Sequence, residues 1–151
     1  MNDGEVLIRS LEAGDESTWR RLWAEYLVFY KATLPDSMTG ATWAKLIGDD
    51  DVFIGTIAEV DGQVVGIANS ILHPTTWSQA QFCYLNDLYV DPTIRGKGIG
   101  KLLIDDLIAK AQTNGWARLY WSTKDDNAVA RRLYDRYGEA DGFVRYARKF
   151  E

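Results

Sequence analysis

The sequence predicts an α+β fold, a mixed and mainly antiparallel sheet flanked by helices, and two stretches carry that prediction. Asp61-Gly62 stands between two apolar runs, Val52 to Val60 and Gln63 to Leu72. An Asp-Gly pair in that setting is the strongest short-range signal for an antiparallel hairpin. Further on, the apolar stretch Phe82 to Val90 leads through a glycine-rich loop into a helix pattern, then into a second apolar run, Trp116 to Thr123. A strand–helix–strand unit of that length crosses over right-handed and leaves its two strands parallel.

Taken in order, Glu5 to Ser10 reads as the first strand. Gly14-Asp15-Glu16-Ser17 then supplies caps and early acidic residues for a helix. Its apolar positions Trp19, Leu22, Trp23, Tyr26, Leu27 and Tyr30 keep the three-four spacing. Pro35 marks a turn, and Ala41 to Ile47 reads as a shorter helix. After the hairpin, His73 to Trp77 reads as a loop leading to the central strand, Phe82 to Val90, which only Asn86 and Asp87 interrupt. Asp91-Pro92 stops that strand, because proline donates to no ladder and restricts the residue before it. Ile99, Leu103, Leu107 and Ala111 share one face of the following helix, and Asn114-Gly115 ends it. Asp125 to Asn127 caps a second helix with Ala130, Leu133, Tyr134 and Tyr137 on one face. Gly138 closes it, and Gly142 to Phe150 reads as a final strand. With no repeat, linker or low-complexity tract, residues 1–151 read as a single domain.

Composition narrows the function classes. Hydrophobic residues make up 46% of the chain, and six Trp with eight Tyr add large apolar area, so a packed core is affordable. A net charge of −5 argues against a general nucleic-acid binder and suits a cationic substrate. There is no apolar run of membrane-spanning length, and Met1 to Glu5 is acidic where a signal peptide would be basic. Cys83, the one cysteine, lies in an apolar strand and reads as a small buried hydrophobe. These features together predict a cytoplasmic protein with no membrane partner.

The loop between the central strand and its helix carries the chemistry. Glycines followed by a helix N-terminus make an anion site, since backbone N–H groups can approach the ligand and the helix dipole adds positive character. A Walker loop is excluded because Gly98 is followed by Ile99 rather than by Lys-Ser/Thr. A dinucleotide fingerprint is excluded because Gly96, Gly98 and Gly100 are evenly spaced. What remains, Arg95-Gly96-Lys97-Gly98-Ile99-Gly100, resembles the pyrophosphate loop of the Gcn5-related N-acetyltransferase (GNAT) superfamily. That pattern, Gln/Arg, two residues, Gly, one residue, Gly/Ala, is filled by Arg95, Gly98 and Gly100. Leu88 to Pro92 and the set Asn127, Ala130, Leu133, Tyr134, Gly138 match two further segments of the superfamily. Tyr84-Leu85-Asn86-Asp87 is similar to the branch holding diamine acetyltransferases and small histone or amino-acid acetyltransferases. That branch often has Glu-Asp here, so Asn86 removes one acidic candidate.

The resemblance implies the acyl-CoA N-acyltransferase fold, in which the central strand is bulged and splayed from its parallel neighbour. It implies acetyl-CoA as the acyl donor and a direct attack by a primary amine of a small molecule, such as a polyamine or amino acid. The alternatives are a protein lysine or N-terminal substrate, or a non-catalytic acyl-CoA-binding regulatory domain. The cofactor site implied is the loop Arg95, Gly96, Lys97, Gly98, Ile99, Gly100 and Lys101, the strand Leu88, Tyr89 and Val90, and the helix residues Asn127, Ala130 and Arg131. Tyr134 is implied as general acid for the departing sulfur, since a neutral phenol can donate to a thiolate at neutral pH.

Asp87, a carboxylate in an apolar strand, needs a partner or a task and is the candidate base. Glu25, Tyr26, His73 and Asn86 are candidates for the substrate side, and no metal site is expected. Superfamily members often dimerise through C-terminal strands, so a homodimer is expected from Phe143, Tyr146 and Phe150.

Overall fold

The computed structural model describes residues 5–94 and 97–151. The chain falls into two compact units, Met1–Trp121 and Ser122–Glu151. The first holds a five-stranded sheet in the order β1-β2-β3-β4-β5. Its strands are β1 (Val6–Ser10), β2 (Phe53–Val60), β3 (Gln63–Thr75), β4 (Ser78–Val90) and β5 (Arg118–Tyr120). The pairs from β1 to β4 are antiparallel and β4 with β5 is parallel.

The β2–β3 hairpin turns on Asp61 and Gly62 as the sequence predicts. Their φ values of 52° and 81° put both in the left-handed region that such a two-residue turn requires. The β3–β4 connection differs from the expectation. His73 to Trp77 is not a loop, because β3 continues to Thr75, β4 begins at Ser78, and His73 pairs with Phe82. Pro74 would break a regular ladder, but it falls in the register irregularity between His73 and Thr75, where no rung needs its missing N–H.

Helices α1 (Glu16–Phe29) and α2 (Asp36–Ile47) cover one face of the sheet. Trp19, Leu22, Trp23, Trp43 and Leu46 pack there with Ile57, Val64 and Ile67. Trp19 and Trp23 stack with centroids 5.4 Å apart. The other face takes α3 (Ile99–Asn114). Gly66 makes that approach possible, since a Cβ there would lie 3.1 Å from Ile99 Cγ2 and 3.3 Å from Leu103 Cδ1. Cys83 is fully buried in β4, and burial pushes its thiol up to about 11, in line with a packing role.

Two irregularities of β4 position the site. Asn69 pairs with Asp87 while its neighbour Ser70 pairs with Leu85, so Asn86 is an extra, bulged residue. The β4–β5 ladder runs only from Phe82↔Arg118 to Tyr84↔Tyr120. Among the described residues, Leu85–Val90 has no rung on that side, so β4 parts from its parallel neighbour as the family resemblance implies. The strand expected over Trp116 to Thr123 is therefore cut to three residues.

The second unit holds α4 (Ala128–Tyr134), capped by Asn127, whose side chain accepts from the Ala130 N–H at 3.2 Å. The final strand expected over Gly142 to Phe150 is not formed. An extended segment becomes a strand only where a neighbour takes its hydrogen bonds, and the described sheet ends at β5.

Candidate functional site

The bulge at Asn86 decides which way Asp87 points. Without the extra residue, Asn69 would face Asn86 and Asp87 would turn toward α3, because successive side chains alternate faces. With it, Asp87 joins Asn69 on the face that α1 covers. Only 8% of Asp87 is exposed, yet its carboxylate is well partnered. Asn69 Nδ2 donates to Oδ2 at 3.2 Å and Asn86 Nδ2 donates to Oδ1 at 3.0 Å. The Tyr26 hydroxyl donates as well. Asn69 is itself oriented by Trp19, whose Nε1 donates to Asn69 Oδ1 at 3.3 Å. Burial pushes the Asp87 carboxyl above the usual range, and the donors Tyr26, Asn69 and Asn86 pull it partly back. Burial and the nearby Asp87 charge also raise Tyr26 and Tyr30, so both phenols stay neutral.

Next along β4, Tyr89 donates from its hydroxyl to Glu25 Oε1 at 3.2 Å. Arg21 bridges Glu25 at 2.8 Å and Asp91 at 3.5 Å. Ala24, Glu25, Val28, Phe29 and Tyr89 line an open pocket of about 420 Å³. Asp87, Tyr26 and Glu25 therefore come together along one strand and one helix. Asn86 is exposed and serves Asp87 as a donor. His73 is placed otherwise: its Nδ1 lies 2.8 Å from the Pro74 carbonyl and its Nε2 2.7 Å from the Tyr120 hydroxyl. A carbonyl only accepts, so Nδ1 carries the proton and Tyr120 donates to Nε2.

The other half of the site is the start of α3. Gly98 sits at the N-cap with φ 65° and ψ 32°, and among the described residues no side chain caps the helix. The amides of the first helical residues are thus left to an external acceptor. A Cβ on Gly98 would meet nothing within 4 Å, so the approach is open. Lys97 is exposed beside it, and Lys101 Nζ is engaged by Asp105 at 2.7 Å. Arg95 and Gly96 lie outside the described residues. Leu88, Tyr89 and Val90 occupy the part of β4 that has left β5, where main-chain groups on that edge have no ladder partner among the described residues.

The Acetyltransferase (GNAT) family model matches residues 17–138. The chain belongs to the GNAT acetyltransferase family. Among curated relatives, it is 31% identical over 150 residues to the D-amino-acid N-acetyltransferase HPA3 of Saccharomyces cerevisiae, covering 98% of this chain and 93% of that one. It is 29% identical to a thialysine N-epsilon-acetyltransferase of Bos taurus, over 90% of this chain and 85% of the relative. Among solved structures, a ribosomal-protein-alanine N-acetyltransferase from Brucella melitensis superposes with a TM-score of 0.77 at 27% identity, covering 97% of this chain and 100% of that one. The chain is thus an acetyltransferase, and the GNAT family uses acetyl-CoA.

In this GNAT chain the second unit carries the remaining candidates. Asn127 caps α4 through Ala130, Arg131 donates to the Asp125 carbonyl at 2.8 Å, and Tyr134 is the half-buried last residue of the helix. Sequence reasoning missed Asn69, which both holds Asp87 and links it to Trp19. The signal was present, since Asn69 is a polar residue inside an apolar strand, the same anomaly that singled out Asp87.

Proposed function

We propose that this GNAT acetyltransferase, with residues 1–151 acting as one domain, transfers the acetyl group of acetyl-CoA to a primary amine of a small molecule by direct attack. The observation that carries the reading is the buried Asp87, turned by the bulge toward α1 at the point where β4 leaves β5. A primary ammonium with pKa about 10.4 must lose a proton before it can attack. A carboxylate raised by burial is better matched to that transfer at neutral pH than an ordinary one. The amines named for curated relatives, D-amino acids, L-2,4-diaminobutyric acid and thialysine, support a small acceptor, while the solved ribosomal-protein-alanine N-acetyltransferase keeps a protein acceptor as the second reading.

The start of α3 fits the anionic end of acetyl-CoA, because Gly98 is open and the first amides have no side-chain cap. Bound there, acetyl-CoA supplies an activated thioester. Lys97 adds charge at that end, and Arg95 is proposed to add to it. The free edge at Leu88 and Val90 would hold the extended arm, with the Leu88 N–H donating to the thioester carbonyl as an oxyanion donor does. Tyr134 would donate its proton to the leaving sulfur, with Asn127, Ala130 and Arg131 steadying the donor. Glu25 and Tyr26 would line the acceptor side.

The test is a panel of small amines, amino acids and lysine peptides with acetyl-CoA, read as free thiol release. Turnover of small amines that collapses in Asp87→Asn, with acetyl-CoA affinity retained, is the expected result. Turnover confined to peptides, or an Asp87→Asn enzyme as fast as the parent, would overturn the reading.

A further inference from the structure

We infer that Tyr26, Tyr30, Tyr84 and Tyr120 wall a subsite around Asp87 that takes the acceptor as an alkylammonium cation. The inference rests on the acetyl transfer proposed above and names the charge state in which the acceptor is recognised.

The placement follows from the sheet. On β3, Asn69 and Ile71 point the same way, and their partners on β4 are Asp87 and Tyr84. Tyr84 and Asp87 therefore share the face that α1 covers. Tyr84 occupies the last rung with β5, opposite Tyr120, and the two rings stack with centroids 4.9 Å apart and planes 23° from parallel. From above, Tyr26 and Tyr30 lie one turn apart at the end of α1, with ring centroids also 4.9 Å apart but tilted by 55°. Tyr26 reaches down to donate to Asp87. So one ring pair belongs to the sheet, another to the helix, and a buried carboxylate is held on the same face. All four rings are half-buried, each keeping part of its surface accessible.

Charge supplies the second argument. A buried carboxylate normally has a cationic partner. Among the described residues no Lys, Arg or His pairs with Asp87, whose partners are two side-chain amides and a phenol. Arg21, on the same helix as Tyr26, is already engaged by Glu25 and Asp91. No described residue supplies the cation that would complete Asp87, and an ammonium held against tyrosine faces would supply it. The ring faces attract a cation through their quadrupoles, with each ring worth roughly two- to thirtyfold in affinity.

The test measures binding without acetyl-CoA, so that it does not depend on turnover. Titrating the protein with n-butylammonium, and separately with n-butanol, isolates the charge at nearly constant shape; tyrosine resonances report occupancy. Butylammonium is expected to bind at least about tenfold more tightly than the alcohol. Tyr84→Phe should retain that preference, because it keeps the ring face, while Tyr84→Leu and Tyr30→Leu should each reduce it by roughly two- to thirtyfold with the fold verified by circular dichroism. Equal binding of ammonium and alcohol would overturn the subsite, and so would folded Leu variants that bind butylammonium like the parent. Ammonium binding of the expected kind in a protein that acetylates no small amine would leave the subsite standing and remove the proposed acceptor class instead.

Discussion

Asp87 and Tyr26 form a pair whose two halves make different predictions. Burial raises the Asp87 carboxyl, and the Tyr26 hydroxyl lowers it again by donating to the charged form. A base must be deprotonated to act, so activity falls as pH drops through the Asp87 value. Removing the donor in Tyr26→Phe should raise that value further and move the ascending limb of the pH–rate profile to higher pH. Asp87→Asn should abolish the limb. A Tyr26→Phe profile superimposable on the parent's would show that Asp87 does not govern it. Tyr134→Phe should behave differently, lowering kcat by roughly a hundred to ten-thousandfold, the usual worth of a positioned general acid, with little change in acetyl-CoA affinity. Parent-rate turnover in that variant, with chemistry shown to be rate-limiting, would remove Tyr134 from the mechanism.

At the scale of elements, the site hangs on two glycines with opposite demands. Gly98 lies at φ 65° with nothing within 4 Å of its Cβ position, so a side chain there fills the anion approach without striking the fold. Gly98→Asp should abolish acetyl-CoA binding by steric block and charge repulsion, and lower Tm by only about 2–4 °C, the cost of a side chain at positive φ; undiminished calorimetric affinity would sink the pyrophosphate assignment. Gly66 has no such room, with Ile99 Cγ2 at 3.1 Å from its Cβ position. Gly66→Val should lift α3 from the sheet and destabilise by about 1–3 kcal/mol, visible as a lowered Tm.

The same comparison explains what the sequence makes legible. Asp61-Gly62 and the Arg95-to-Gly100 loop are local signals, where backbone conformation or ligand approach demands particular residues, and the turn was read correctly. His73 was misplaced because Pro74 looks like a strand terminator when its rung is unknown. The bulge at Asn86 was expected only through the family resemblance, since register is a relation between two strands and neither carries it alone. Tyr26 is a candidate from the sequence, but its grouping with Tyr30, Tyr84 and Tyr120 from α1, β4 and β5 is not legible there for the same reason.

For the whole molecule, the C-terminal segment poses the remaining question of assembly. Phe143, Tyr146 and Phe150 are 86%, 94% and 92% exposed, and Val144 between them is 77% exposed. The stretch Gly142 to Phe150, with apolar and aromatic residues interspersed among basic ones, reads as a strand, yet no ladder takes it up among the described residues. A strand pattern without a partner strand is what intermolecular pairing would complete, since a second copy can supply both the hydrogen bonds and the apolar cover. We therefore expect a homodimer: sedimentation velocity at micromolar concentration should return twice the 17.1 kDa of one chain. Replacing Phe143, Tyr146 and Phe150 together by Ser should return a folded monomer, because the substitutions remove apolar surface from side chains that are almost wholly exposed. A parent chain that sediments as a monomer, or a dimer indifferent to the triple substitution, would move the interface elsewhere or end the expectation.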